Sequence, residues 1–464
     1  MFRTIGDRPS AWELLLPAEV LRLPEELARV DALLDDPVFF APFVRHFHPV
    51  IGRPSTPVEC YLRLMFLKFR YRLGFESLCS EVADSISWRR FCRIPLDGKV
   101  PHPTTLMKLT SRCGEAAVAG LNEALLAKAA EAKLLRTARV RADTTVVAAN
   151  VAYPTDSGLL AKAVGKLVRT ARRVQAAGGA TGTTMTDRRR AAARRMREIA
   201  SKLRTRGKLS REESTRVIHR VTGELASLAE KAAAQAAAVL RNGRRAVPKA
   251  LSGRMRGRLR RALDELAVTI ERTAKLVAQA RTRLAGQTPE SATRLVSLHD
   301  PDARPIRKGR IDKPVEFGYK AQVADNDDGI ILDYSLEYGA APDGPQLAPA
   351  IERISRRTGR VPRAVTADRG YGQPAVERDL HALGVRTVAI PRQAKTSPAR
   401  KTTEHRRCFH RLVKWRTGSE GRISYLKRGY GWDRTRLDGR HGAAIWCGHG
   451  VFAHNLVKIA VLAR

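Results

Sequence analysis

The sequence predicts an α/β protein: an all-α amino-terminal region precedes an α/β layer, and a long basic helical block interrupts that layer. Three observations carry this. After residue 290, segments with two-residue periodicity, "FGYKAQVAD" and "GIILDYSLEYG", give way to alternating helix and strand. A strand-like run, "VRADTTVVA", stands well upstream at 140–148, before the block rather than after it. Between about 160 and 290 the chain is rich in alanine, and basic residues outnumber acidic ones about three to one. The expected organisation is therefore a helical domain over 1–135 and an α/β domain over 136–464, with 160–290 inserted between its first and second strands.

Each element has its own signal. In "RPSTPVECYLRLMFLKFRYRLGF", Thr56 stands as N-cap and Pro57 as first helical residue, and apolar residues follow at helical spacing as far as Gly74. Shorter helices follow in "FESLCSEVADS", "ISWRRFCRI" and "PTTLMKLTSRCG", the last capped by Thr104 or Thr105. Such a succession suits a helix-turn-helix-like unit. Arg89 and Arg90 directly after Trp88 form a candidate phosphate contact, against which stands a solvated pair beside a core tryptophan. In the basic block, Val217, Val221, Leu225 and Leu228 share one helical face, as do Leu263, Leu266, Ile270 and Val277. "AGGATGTT" and "NGRRAVPKALSG" break the periodicity, so two or more long helices pack as a hairpin. Beyond 290, "NDDG" between two strands has hairpin chemistry. A helix from about Gln346 to Arg357, the strand "RAVTAD", a helix from about Pro374 to Leu383 and the strand "VRTVAI" complete the layer.

Charge sets the class of partner. Among 464 residues, 85 Lys and Arg against 46 Asp and Glu give a net charge of +39 and a pI near 11.0, far from a typical soluble metabolic enzyme. A polyanion is the natural ligand, and nucleic acid is preferred to a membrane surface or an acidic protein because the basic residues span the whole chain. No apolar run of the roughly 20 residues that cross a bilayer stands out, and the amino terminus lacks a secretory pattern. The six cysteines show no paired or zinc-like spacing, so reduced thiols in a cytoplasmic protein are expected.

Asp143 puts a carboxylate into a run that otherwise reads as a buried strand. Buried and ionised, it needs hydrogen bonds, a cation or a metal. Asp368 ends the strand of "VTADRGYG", the end of a strand where ligands gather in open α/β sheets. In "WRTGSEGRISYLKRGYGW", Arg416 precedes Glu420 by four residues and Lys427 follows it by seven, so all three share a helix face. Two aspartates and a glutamate converging on one point make a hard oxygen site for Mg²⁺ or Mn²⁺, suited to in-line displacement at phosphorus. Asp300, Asp333, Glu377 and Glu404 are rival carboxylates. Asp300 suits a turn and Asp333 an ion pair, while His299, His405 and His410 lack convincing zinc spacing.

These motifs together resemble a DDE transposase of bacterial insertion sequences, in the group whose last acidic motif reads Tyr-x2-Arg-x3-Glu-x6-Lys. Arg416, Glu420 and Lys427 match that spacing, and Val413 takes the tyrosine's place. "DTTVVAANVAYPTDSGLL", "SLHDPDARPIRKG", "EFGYKAQV", "ADRGYG" and the amino-terminal "HPVIGRPSTPVECYLRLMFLKFRYRLGFESLCSEV" resemble the same proteins. The resemblance implies an RNase H-like catalytic domain with Asp143, Asp368 and Glu420 as catalytic metal ligands and Arg416 and Lys427 on DNA phosphates. It further implies an amino-terminal domain that recognises terminal inverted repeats, a homodimer that pairs two element ends, and action at the nucleoid. Three functions remain: cleavage at element ends with strand transfer of the 3′-hydroxyl into target DNA, a catalytically inactive or domesticated transposase that only binds DNA, or a nuclease that cuts without joining.

Overall fold

The computed structural model describes residues 1–7, 11–204, 211–248, 252–307, 314–394 and 396–463. The end of "SLHDPDARPIRKG" (308–309) and part of "NGRRAVPKALSG" (249–251) lie outside the described residues. Packing divides the chain into two units, one of Met1–Asn150 with Gly318–Arg464 and one of Val151–Phe317.

Six strands are described: β1 (Arg139–Ala148), β2 (Arg304–Arg307, in the second unit), β3 (Val315–Asp325, entering the first unit at Gly318), β4 (Ile331–Glu337), β5 (Ala364–Ala367) and β6 (Thr387–Ala389). In the first unit they lie in the order β4-β3-β1-β5-β6. β1, β3 and β4 pair antiparallel, while β5 and β6 run parallel to β1. Three antiparallel strands beside two parallel ones fit the RNase H-like expectation.

The β-branched run Thr144–Val147 favours a strand, and a strand covered on both faces reads as an almost continuous apolar run rather than a strict alternation. β1 is accordingly buried along most of its length. Its last residue, Ala148, pairs with Gly318. A Cβ on Gly318 would fall 2.1 Å from the Val147 carbonyl, so the two backbones can approach only at a glycine. The "NDDG" turn closes β3 onto β4 as expected: Asn326 Oδ1 accepts from the Ile330 amide at 2.9 Å, and Gly329 takes a positive φ of 76°. Helices Gly344–Thr358 and Pro374–Ala382 follow β4 and β5.

The amino-terminal helices include Val58–Arg70, Phe75–Asp84, Ile86–Phe91 and Pro103–Glu131. Two expected caps shift. Pro57, not Thr56, occupies the N-cap of the first, because its ψ of 140° is extended rather than helical. The last is capped by the His102 ring, which accepts from the Thr104 amide at 3.3 Å, so Thr104 and Thr105 already lie inside the helix. That helix kinks at Gly114, whose φ of 71° leaves the helical region.

These helices do not close a core by themselves. Val58–Arg70 and Pro103–Glu131 pack against the carboxy-terminal helix Gly439–Leu462, with Phe69 and Trp446 edge to face at 4.9 Å and Asn122 donating to the Gly448 carbonyl at 3.1 Å. Gly439–Leu462 corrects the reading that no membrane-length apolar run exists: by length and composition it is long and apolar enough to span a bilayer. The run escapes a search for uninterrupted apolar residues because His449, His454, Asn455 and Lys458 punctuate it. Here 78% of its apolar window is buried, so its apolar surface is covered by protein.

Four helices make up most of the second unit: Asp156–Ala176, Arg189–Arg204, Arg211–Ala246 and Gly253–Leu284. Two apolar clusters hold them together. One gathers Leu160, Val164, Val221, Leu225 and Leu276, and the other gathers Leu167, Val174, Val239, Leu259, Leu263 and Leu266. The faces read from periodicity are those that point inward: Val217, Leu228, Ile270 and Val277 lie half-buried at the edges of these clusters.

Candidate active site

Asp143 and Asp368 stand side by side because of strand register. Ala142 on β1 pairs with Ala367 on the parallel neighbour β5, and each aspartate is the next residue. Asp143 is buried; its Oδ1 accepts from the Thr144 amide at 2.8 Å and its Oδ2 from Arg416 Nη1 at 3.3 Å. Burial, and after it the charge of Asp368, push its carboxyl up to about 6, against the lowering pull of the Thr144 amide and Arg416. Asp368 caps the turn Arg369–Tyr371 through Oδ1, which accepts from the Gly370 amide at 2.7 Å. Burial and then Asp343 raise its carboxyl above the ordinary range. The glycines of "ADRGYG" are set by close approach. A Cβ on Gly370 would meet Asp368 Oδ1 at 2.8 Å and Asp343 Oδ2 at 3.0 Å, and one on Gly372 would meet the Pro391 carbonyl at 2.0 Å.

Glu420 lies in the first turn of helix Gly418–Gly429, and its side chain is 67% exposed. Arg416 connects it to the aspartates: Nη2 reaches Glu420 Oε1 at 3.3 Å while Nη1 holds Asp143. Lys427, two turns along, donates to the Val146 carbonyl at 2.8 Å and fastens this helix to β1. Val413, at the motif's tyrosine position, is half-buried against the apolar cluster of Ala364, Ala389, Phe409 and Leu412. Among the described residues no three His, Cys, Asp or Glu side chains are close enough, as arranged, to hold a metal ion. The donor chemistry nevertheless fits a hard divalent cation. Two neighbouring carboxylates, both with raised proton affinity, lack a full countercharge, and a single guanidinium supplies the cation between Asp143 and Glu420.

Of the other sequence candidates, Arg89 donates to the carbonyls of Ala83, Pro95 and Gly98, each at 3.0 Å, and Arg90 forms a two-point ion pair with Asp7. Both guanidinium groups thus order the amino-terminal helices. Asp300 Oδ1 accepts from the Ala303 amide at 3.3 Å in a turn, and Asp333 takes Arg353 in two bonds of 2.9 and 2.7 Å. Glu377 and Glu404 share Arg400.

Asp343 is a member of the site that the sequence does not single out. It precedes helix Gly344–Thr358, pairs with Lys320 of β3 at 2.7 Å and faces Asp368 across Gly370. Its signal, an aspartate before Gly-Pro at a helix start, is shared with ordinary caps. Behind the site, the buried Tyr371 hydroxyl donates to Gln322 Oε1 at 2.9 Å.

Known proteins share these segments. Residues 294–456, which include Asp368 and Glu420, match the family described as a transposase DDE domain, and residues 18–112 match a transposase domain family. Both matches support a DDE transposase of insertion-sequence type. Asp143 falls between the two matched regions. A relative from Rhizobium meliloti, an uncharacterized protein (ORF8) of the nfe locus, is 31% identical over 140 residues, 27% of this chain. The match spans 64% of that relative's length. No solved structure matches.

Proposed function

We propose that this transposase cleaves DNA at the ends of its element and transfers the freed 3′-hydroxyl into target DNA, using Mg²⁺ or Mn²⁺. The observation that carries the reading is the register of β1 and β5, which sets Asp143 and Asp368 side by side as under-compensated carboxylates with Arg416 beside them. Asp143, Asp368 and Glu420 would hold the metal, which when bound supplies activation of the attacking oxygen and stabilisation of the leaving one. Arg416 balances the carboxylates in the metal-free chain and is placed to turn to a DNA phosphate. Lys427 keeps the Glu420 helix against β1 while offering positive charge near the same strand. The helical amino-terminal region serves recognition of the terminal inverted repeats, and a homodimer pairs two element ends. Its place of action is the bacterial cytoplasm, on nucleoid DNA.

Two observations favour the alternative of a DNA-binding protein without catalysis: Glu420 points largely to solvent, and Val413 stands where the motif has tyrosine. The test compares E420Q with the native chain on a duplex carrying an element end, with and without Mg²⁺. Loss of nicking and strand transfer with binding retained supports the catalytic reading. Native levels of strand transfer by E420Q refute the assignment of Glu420, and a native chain that binds yet never nicks selects the alternative.

A further inference from the structure

The charge of the second unit is unevenly arranged. Along part of the four-helix bundle, cations are matched by carboxylates: Arg195 with Glu224 at 3.0 Å, Arg216 with Glu212 at 3.6 Å, Lys275 with Glu271 at 2.8 Å and Arg281 with Glu230 at 3.1 Å. Between Glu230 and Asp264, by contrast, the sequence holds ten basic residues and no acidic one. Arg241, Arg244 and Arg245 end helix Arg211–Ala246, and Arg254, Arg256 and Arg258 begin helix Gly253–Leu284. All six are exposed, and none forms an ion pair with a carboxylate among the described residues.

Two physical arguments make this arrangement unfavourable without a ligand. Like charges crowded at one end of a bundle repel, and no carboxylate on the described surface pairs with these six, although the dipole of Arg211–Ala246 favours Arg244 and Arg245 in its last turn. The first turns of Gly253–Leu284 also place cations at the positive pole of the helix dipole, where acidic residues are favoured. Helix Arg211–Ala246 shows the favourable pattern, with Glu212 and Glu213 in its first turn. The glycines hold the arginine-rich end tightly: Gly243 faces Leu263 and Gly179 faces Leu259, at distances that leave no room for a Cβ. The arginines thus flank a closely packed end of the bundle.

We propose that this arginine-rich end of the bundle binds the phosphate backbone of duplex DNA without regard to sequence. The inference rests on the transposase reading above and gives the inserted unit a role separate from the carboxylate site. Arginine suits it, because the guanidinium fork hydrogen-bonds phosphate oxygens at two points and stays charged at any physiological pH.

The test uses the full chain with R241Q, R244Q, R254Q and R256Q combined. A control combines R195Q, R216Q, K275Q and R281Q, which removes as many cations from acid-paired positions. Affinity for a duplex carrying an element end and for one of arbitrary sequence is measured across a range of salt concentrations, with helical content followed by circular dichroism. The expected result is a salt dependence shallower by about 0.9 in log–log slope for each phosphate that the variant no longer neutralises. The weakening should be equal on both duplexes, and the control should keep the native slope. An unchanged slope in the first variant overturns the inference, as does a weakening confined to the element-end duplex. A native chain that binds no duplex at all overturns the transposase reading with it. Native binding and nicking combined with an unchanged slope in the variant overturns this inference alone.

Discussion

Replacing Asp143 with asparagine removes a buried charge while nearly preserving shape. In the folded chain the carboxyl is raised from its ordinary 3.8 to about 6 by burial and by Asp368. That difference corresponds to about 3 kcal/mol of folding free energy. The sign follows from proton binding. The folded state holds this proton more tightly than the unfolded state, so stability falls as pH rises from about 4 to about 6, and the full cost is present above that. D143N carries no such cost. Its carbonyl can still accept from the Thr144 amide, but it loses the charge that attracts Arg416 at 3.3 Å, which returns part of the gain. A net stabilisation of about 1–3 kcal/mol at pH 8 is expected, closing towards zero below pH 4. Thermal unfolding of both proteins in chelator-treated buffer across that pH range measures it. Added Mg²⁺ should stabilise the native chain more than D143N and so narrow the gap. A D143N chain less stable than the native one at pH 8, or a gap independent of pH, would refute the account of an under-compensated carboxylate.

Two further outcomes are expected. Asp325, 1% exposed, takes Arg141 in bonds of 2.9 and 2.8 Å and Arg422 at 3.3 Å, so D325N leaves buried guanidinium charge unmatched and should cost about 3–5 kcal/mol in urea unfolding; a loss under about 1 kcal/mol would contradict this. His449 is buried beside Phe69 and Lys68, and burial lowers its ring from 6.5 to about 3. The unfolded chain then binds the extra proton between those values, so stability is lost as pH falls through that window. H449F should move the acid-unfolding midpoint to lower pH, and an unmoved midpoint would count against it.

Much of the layer was legible because its signals are local. The alternation of "EFGYKAQVAD", the turn chemistry of "NDDG" and the helix between β4 and β5 each depend on neighbours in sequence. The adjacency of Asp143 and Asp368 was legible only through the resemblance, since strand pairing between residues so far apart leaves no local trace. Glu420's position at the rim was not legible at all: helix periodicity gives a face but not how closely that face approaches a sheet. Asp343 escaped because its pairing with Lys320 depends on the antiparallel neighbour strand. Arg89 beside Trp88 looked like a phosphate contact, yet three backbone carbonyls, Ala83 at a helix end and Pro95 and Gly98 in a loop, satisfy its guanidinium, and backbone carbonyls carry no side-chain signature. The carboxy-terminal helix is the counterpart at larger scale: polar residues interrupt its apolar run, and the amino-terminal helices that cover it lie at the other end of the chain.

The pairing of Ala148 with Gly318 has a consequence for how such a chain can change over time. β1 and β3 are antiparallel neighbours, and antiparallel neighbours can be joined by as little as a two-residue turn. The chain therefore leaves and re-enters the sheet across a single strand spacing of roughly 5 Å. Any segment whose two ends meet at that distance can occupy the position without changing strand order. The length and content of the segment between β1 and β3 are therefore free of the register that aligns the two aspartates.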